Sequence, residues 1–197
     1  SAVDLCSDLG IELIKLASSD LNDWILIEKI ATTRKPVIVS TGGSSLKDID
    51  DLVKFFANRN IPLAINHCVS LYPSEDHELE LNQIDFLRER YPGNVIGYST
   101  HEYHDWTSSV MLAYAKGARS FERHVDIEAD GIPVSPYCSQ PAQIDAWFKA
   151  GAHGAGVGAE RSAGGLDAEG ALAGVARGAG GDAGEACSAG ARGAAAA

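Results

Sequence analysis

Between Ile11 and Phe148 the chain alternates short apolar runs with longer stretches whose apolar residues recur at helical spacing. The runs are IELIKLAS, KPVIVSTG, IPLAINHCVS, NVIGYSTH and SFERHVDI. Between them lie DLNDWILIEKIATT, SSLKDIDDLVKFFANRN, LNQIDFLRERYP and WTSSVMLAYAKGA. Short runs rich in Val and Ile predict strands, whereas Leu46, Ile49, Leu52, Val53 and Phe56 fall on one face of a helix. Ser45 followed by Asp48 predicts where that helix opens, an Asp standing in for the usual Glu of a capping box. Gly117 in AKGA predicts where the last of these helices stops.

Strand and helix alternating about every 25–30 residues predict βαβ units and a parallel sheet. A doubly wound sheet and an eight-fold barrel both satisfy that alternation. The polar residues choose between them. Each apolar run carries its chemistry at its C-terminal end: Lys15 and Ser18, Ser40 and Thr41, His67 and Ser70, Ser99 and His101, Glu122 and His124. No glycine-rich phosphate loop follows any run, which weakens a nucleotide-binding reading. Polar groups converging from successive strand ends are the barrel pattern. The expected fold is α/β, a (β/α)8 TIM barrel, incomplete, with about the last five βα units present. Five units do not close eight strands, and an open half exposes strand edges and an apolar inner face. The chain also opens on Ser1 and has Met111 as its only methionine, so a piece of a longer protein is expected.

Composition changes the picture at one place. Every Trp, Tyr and Phe precedes Gly151, while 14 of the 21 glycines lie at or after it. Residues 1–150 are expected to form the barrel portion. Residues 151–197, without Ile, Lys, Pro, Thr, Asn or Gln, are expected to be a disordered low-complexity tail or out-of-frame translation of GC-rich DNA. The net charge of −11 argues against nucleic acid and anionic membranes as partners. No run is apolar enough to span a bilayer, no signal peptide opens the chain, and the four cysteines form no CxxC pair. Reduced thiols in a cytoplasmic protein are the expectation.

The candidate chemistry begins with His101 and His124, near the ends of consecutive strands. On spacing alone, two histidines hydrogen-bonded in a polar barrel mouth are the first reading, and a divalent metal with water or substrate oxygens completing its shell is the second. Glu122 shares a strand face with His124 and could be a carboxylate that supports the metal's ligands from behind, a general base or an acceptor for substrate hydroxyls; the alternative is an ion pair with a barrel lysine. Arg123, between them, is expected to point toward the helices. Lys15, Ser18, Ser40 and Ser99 together suit a phosphate or carboxylate. His67 is expected just inside the barrel as a hydrogen-bonded core histidine, with Cys68 on the opposite face as packing. His77 and His104 are expected to be solvated.

IKLASSDLNDW, KPVIVSTGGSSLKDI, NHCVSLYPS, IGYSTH and GARSFERHVDI resemble, in order and spacing, the sialic acid synthase family, which includes N-acetylneuraminate synthases and related spore-coat polysaccharide enzymes. The resemblance covers about Ala2 to Lys149. It implies an enzyme that condenses phosphoenolpyruvate with an N-acylated amino sugar, such as N-acetylmannosamine, to a sialic-acid-type 2-keto acid and phosphate. It implies Mn2+ or Mg2+ on His101 and His124, a phosphoenolpyruvate grip from Lys15, Ser18, Ser40 and Ser99, and acceptor contacts from Tyr72 and Glu122. A homodimer is implied for the full-length parent, and this portion alone is expected to be inactive. Thr100 replaces the aspartate of the family's SDH, Ser70 stands where asparagine is common, and Ser135 stands roughly where an aspartate helps bind the acceptor. These departures are expected on the sugar side, implying a different acceptor. Two other readings remain: a barrel aldolase or lyase working through a Schiff base on Lys15, and a non-catalytic remnant that binds metal or small anions.

Overall fold

The computed structural model describes residues 1–129 and 131–157. In chain order the helices and strands are Ala2–Asp8 (α1), Ile14–Leu16 (β1), Trp24–Thr32 (α2), Val37–Ser40 (β2), Leu46–Ala57 (α3) and Leu63–Cys68 (β3). Asn82–Arg90 (α4), Val95–Thr100 (β4), Trp106–Ala115 (α5), Ser120–Arg123 (β5) and Pro141–Val157 (α6) follow, with short 3-10 turns at Ser18–Asp20 and Asp76–Glu78. The five strands form one sheet in the order β1-β2-β3-β4-β5, every pair parallel. Consecutive order without a reversal is that of a barrel arc; a doubly wound sheet would reverse at a switch point.

Period-two alternation sets the two faces of the arc. Leu16, Val37, Val39, Leu63, Ile65, Ile96 and Tyr98 are buried and pack outward with Ile27, Ile30, Leu52, Phe56, Ile84 and Leu87 from the covering helices. The inner face runs in rows across the register: Lys15, Ile38, Ala64 and Val95; then Ser40, Asn66, Gly97 and Ser120; then Cys68, Ser99 and Glu122. The expectation of an apolar inner face is therefore corrected. Toward the carboxyl rim this face is polar, which lets an open arc meet solvent. Gly97 is required in its row, because a Cβ there would stand 2.1 Å from Asn66 Oδ1 and 2.6 Å from the Ser120 carbonyl.

The helix opened by Ser45 has the expected capping box, the Asp48 N–H donating to Ser45 Oγ at 3.2 Å and the Ser45 N–H to Asp48 Oδ2 at 3.3 Å. Two helices lie outside the predicted set. α1 carries its own capping box from Ser1 and Asp4. α6 runs through the expected boundary between residues 150 and 151. Its Gly151 faces Val110 and its Gly154 faces Met111, so small residues let α6 lie close against α5 where large apolar ones would hold it off. The rest of the expected tail, from 158 onward, lies outside the described residues. Among the described residues, no helix is long and apolar enough to cross a membrane.

Candidate functional site

Where the parallel strands end, a cleft of about 340 Å³ opens. The parity that sends Leu16, Val39 and Tyr98 into the core sends Lys15, Ser40, Ser99 and Glu122 inward to its floor. The loops that follow the strands add Ser18, Ser70, Tyr72, His101 and His124. Lys15, Ser18, Ser40, Ser70, Tyr72, Ser99, His101, Glu122 and His124 thus line one space, whereas Ser135 does not.

Glu122 is the hub of the floor. Ser99 Oγ donates to its Oε1 at 2.9 Å, and Lys15 Nζ lies 3.2 Å from its Oε2. The ion pair with a barrel lysine is therefore present, and it sits inside the cleft. Lys15 is the one Lys or Arg lining this cleft among the described residues. Ser40 Oγ and Asn66 Oδ1 are buried with no hydrogen-bond partner among the described residues. Buried polar atoms are normally paired, so the orphaned Ser40 hydroxyl leaves an open hydrogen-bonding position at the floor of the cleft. Gly42 lets the loop after β3 come close, since a Cβ there would stand 2.4 Å from Ser70 Oγ.

At the mouth the His101 and His124 rings are 5.1 Å apart, centre to centre. His101 Nδ1–H donates to the Val69 carbonyl at 2.9 Å, a tautomer that leaves the Nε2 lone pair free. No hydrogen bond holds the His124 ring among the described residues; it touches Tyr72, His101 and Tyr137 edge-on or tilted. Burial depresses the basicity of His101 to about 4, and partial desolvation lowers that of the more exposed His124, so both are neutral imidazoles near pH 7. Neutral, converging and with ring nitrogens to spare, the pair fits a divalent cation that takes its other ligands from water or substrate. No cluster of three or more His, Cys, Asp and Glu suited to a metal occurs among the described residues. Tyr72 covers His101 at 4.1 Å between ring centres, and burial pushes its phenol up.

Several expectations change here. His67 is buried and hydrogen-bonded, its Nε2 2.8 Å from the Leu79 carbonyl, but it shares the outward face of Leu63 and Ile65. Cys68, expected as packing, faces the cleft, with burial pushing its thiol up. Thr100 also faces outward, its Oγ1 donating to Tyr98 OH at 2.8 Å, so this departure is not on the sugar side of the cleft. Ser135 is outside the cleft lining and gives its N–H to Asp126 at 3.4 Å. The strand of SFERHVDI stops at Arg123, because its ladder with β4 ends at the Thr100–Arg123 pair. His77 and His104 are exposed, and His104 lies 3.7 Å from Glu75. Asn66 and Tyr137 give no sign in the sequence, since a lone Asn inside an apolar run and a Tyr in a loop carry no spacing signal. A wider cleft, about 580 Å³, opens beside α3 and α4, lined largely by apolar groups such as Leu46, Ile49, Phe86 and Leu87.

The parallel arc with a polar cleft at its carboxyl rim defines a barrel-type α/β chain. Residues 1–136 match the NeuB family, and the chain belongs to that family. It is 31% identical over 150 residues to the N-acetylneuraminate-9-phosphate synthase of Drosophila melanogaster, covering 74% of this chain and 39% of that protein. It is 31% identical over 128 residues to the spore coat polysaccharide biosynthesis protein SpsE of Bacillus subtilis, covering 64% of this chain and 34% of that one. A crystal structure from Chromobacterium violaceum, described as a spore coat polysaccharide biosynthesis protein E, superposes with a TM-score of 0.78. That protein is 41% identical, and the match covers 83% of this chain and 49% of that one. The chain thus spans little more than a third of the length of these two curated relatives.

Proposed function

We propose that the cleft is the substrate site of an enzyme of the sialic acid synthase type, which joins phosphoenolpyruvate to the aldehyde of an N-acylated amino sugar. The observation that carries this reading is the convergence of Lys15, Ser18, Ser40 and Ser99 with Glu122, His101 and His124 in one cleft. Membership of the NeuB family supports it. In the proposed reaction, carbon 3 of phosphoenolpyruvate bonds to the aldehyde carbon and water adds at carbon 2. The carbon 2–oxygen bond to phosphate then breaks, leaving a 2-keto acid and inorganic phosphate.

The Lys15 ammonium and the hydroxyls of Ser18, Ser40 and Ser99 hold the phosphate and carboxylate. Glu122, fixed by Lys15 and Ser99, accepts from an acceptor hydroxyl, and Tyr72 packs against the sugar. His101 and His124 would hold Mn2+ or Mg2+, which when bound supplies polarisation of the acceptor aldehyde. A homodimer is proposed on the resemblance alone. Lys15 is ion-paired to Glu122, whereas a Schiff-base lysine works as a free amine in apolar surroundings, so the aldolase reading finds no support in this geometry.

Isothermal titration of phosphoenolpyruvate into the chain tests the proposal without requiring turnover. Binding that weakens tenfold or more in Ser40→Ala is expected. No binding by the native chain, or equal binding by the variant, overturns the assignment of this cleft.

A further inference from the structure

The two imidazoles at the cleft mouth each adjoin a charged residue that points the other way. Glu102 follows His101, and Arg123 precedes His124. Behind the sheet their side chains meet, Arg123 Nη1 lying 3.1 Å from Glu102 Oε2, the side chains 1% and 0% exposed. The contact extends to the backbone. Arg123 Nη2 donates to the Glu102 carbonyl at 2.7 Å, and its Nε donates to Ser139 Oγ. Ser139 in turn gives its N–H to the His124 carbonyl at 2.9 Å. Ser109 Oγ donates to Glu102 Oε1.

The place of this pair in the sheet gives it a task. The β4–β5 ladder ends at Thr100 and Arg123, one residue short of each histidine. Past that rung, among the described residues, Glu102 bridges Ser74 and Val125 bridges Ser139, and no strand pairing joins the two backbones to each other, yet a shared cation needs the rings held to fractions of an ångström. A buried ion pair is a poor source of stability compared with apolar packing, and its best-attested use is to fix one arrangement. We propose that Glu102 and Arg123 are a positioning pair, tying the two strand ends together so that His101 and His124 present their nitrogens to one divalent cation. This rests on the metal reading of the two histidines given above.

The test is the Mn2+ affinity of the whole chain, by isothermal titration, for the native protein, Glu102→Gln and the double variant Glu102→Met with Arg123→Met. Each variant's thermal midpoint is recorded alongside. The double change removes both charges together and so leaves no unpaired buried ion. Outer-shell partners of metal ligands typically govern affinity by about 10–100-fold, and a loss of that size is expected in both variants, with the double variant's midpoint near native. Native affinity in the double variant overturns the positioning role, as does a loss that merely tracks the fall in midpoint. If Glu102→Gln does not fold, the double variant decides; if neither folds, the pair is structural and the proposal fails. Absence of Mn2+ binding in the native chain instead overturns the metal reading, and this inference with it.

Discussion

The Ser40 hydroxyl is buried without a hydrogen-bond partner among the described residues, a state that costs about 1–3 kcal/mol. Ser40→Ala should therefore be neutral or stabilising in urea unfolding, while it weakens phosphoenolpyruvate binding. A clear loss of stability would mean that the hydroxyl has a structural partner. Gly97→Ala should do the opposite. Its Cβ would collide with Asn66 Oδ1 and the Ser120 carbonyl, so a loss of about 1–3 kcal/mol is expected from overpacking, read in the same urea experiment. His124→Ala should abolish Mn2+ binding, and an unchanged isotherm would remove His124 from the metal site. At this scale the polar tips of the apolar runs were legible, because strand parity forces residues two apart to share a face. His67 and Cys68 show where that reading slips. Parity separates them, but only the register with β2 and β4 says which one faces inward.

At the level of elements, the helices are secured by side chains that titrate. Asp105 caps α5, accepting from the Thr107 and Ser108 N–H groups at 3.0 and 3.2 Å. The Ser108 and Thr107 hydroxyls, which also donate to it, and then those N–H groups hold its carboxyl down to about 2. Asp50 of α3 takes Arg90 Nε at 2.9 Å and Tyr91 OH at 2.7 Å from the end of α4, which hold it down to about 2 as well. Both folded values lie below the unfolded value near 3.9. Their contribution is thus present above that value and lost as pH falls from about 4 toward 2. Asp105→Ala should cost about 1 kcal/mol at pH 7 and flatten the pH dependence of the thermal midpoint below pH 4. An unchanged slope there would show that the cap does not titrate with folding. The central helices were legible from their apolar stripes. α1 was not, although Ser1 and Asp4 spell its cap, and α6 was hidden because Ala and Gly erase hydrophobic periodicity while still permitting close helix packing.

For the molecule as a whole, the arc of five parallel strands supplies a rim where a protein of net charge −11 gathers one lysine, several hydroxyls and two neutral imidazoles. A small anion finds donors there that the rest of the acidic surface discourages. The barrel class was legible because successive parallel strands bring most of the polar tips, though not Thr41 or His67, to one rim. What the pattern did not disclose is the buried Glu102–Arg123 contact, since residues on the outward face of a strand end look like any solvated charge until the packing above them is known. The most direct test of the central claim is to map phosphoenolpyruvate on the chain by amide 1H–15N NMR in the presence of Mg2+. Shifts concentrated at Lys15, Ser18, Ser40, Ser99 and His101 are predicted. Shifts confined to the wider cleft beside α3 and α4, or none at saturating ligand, would contradict the account.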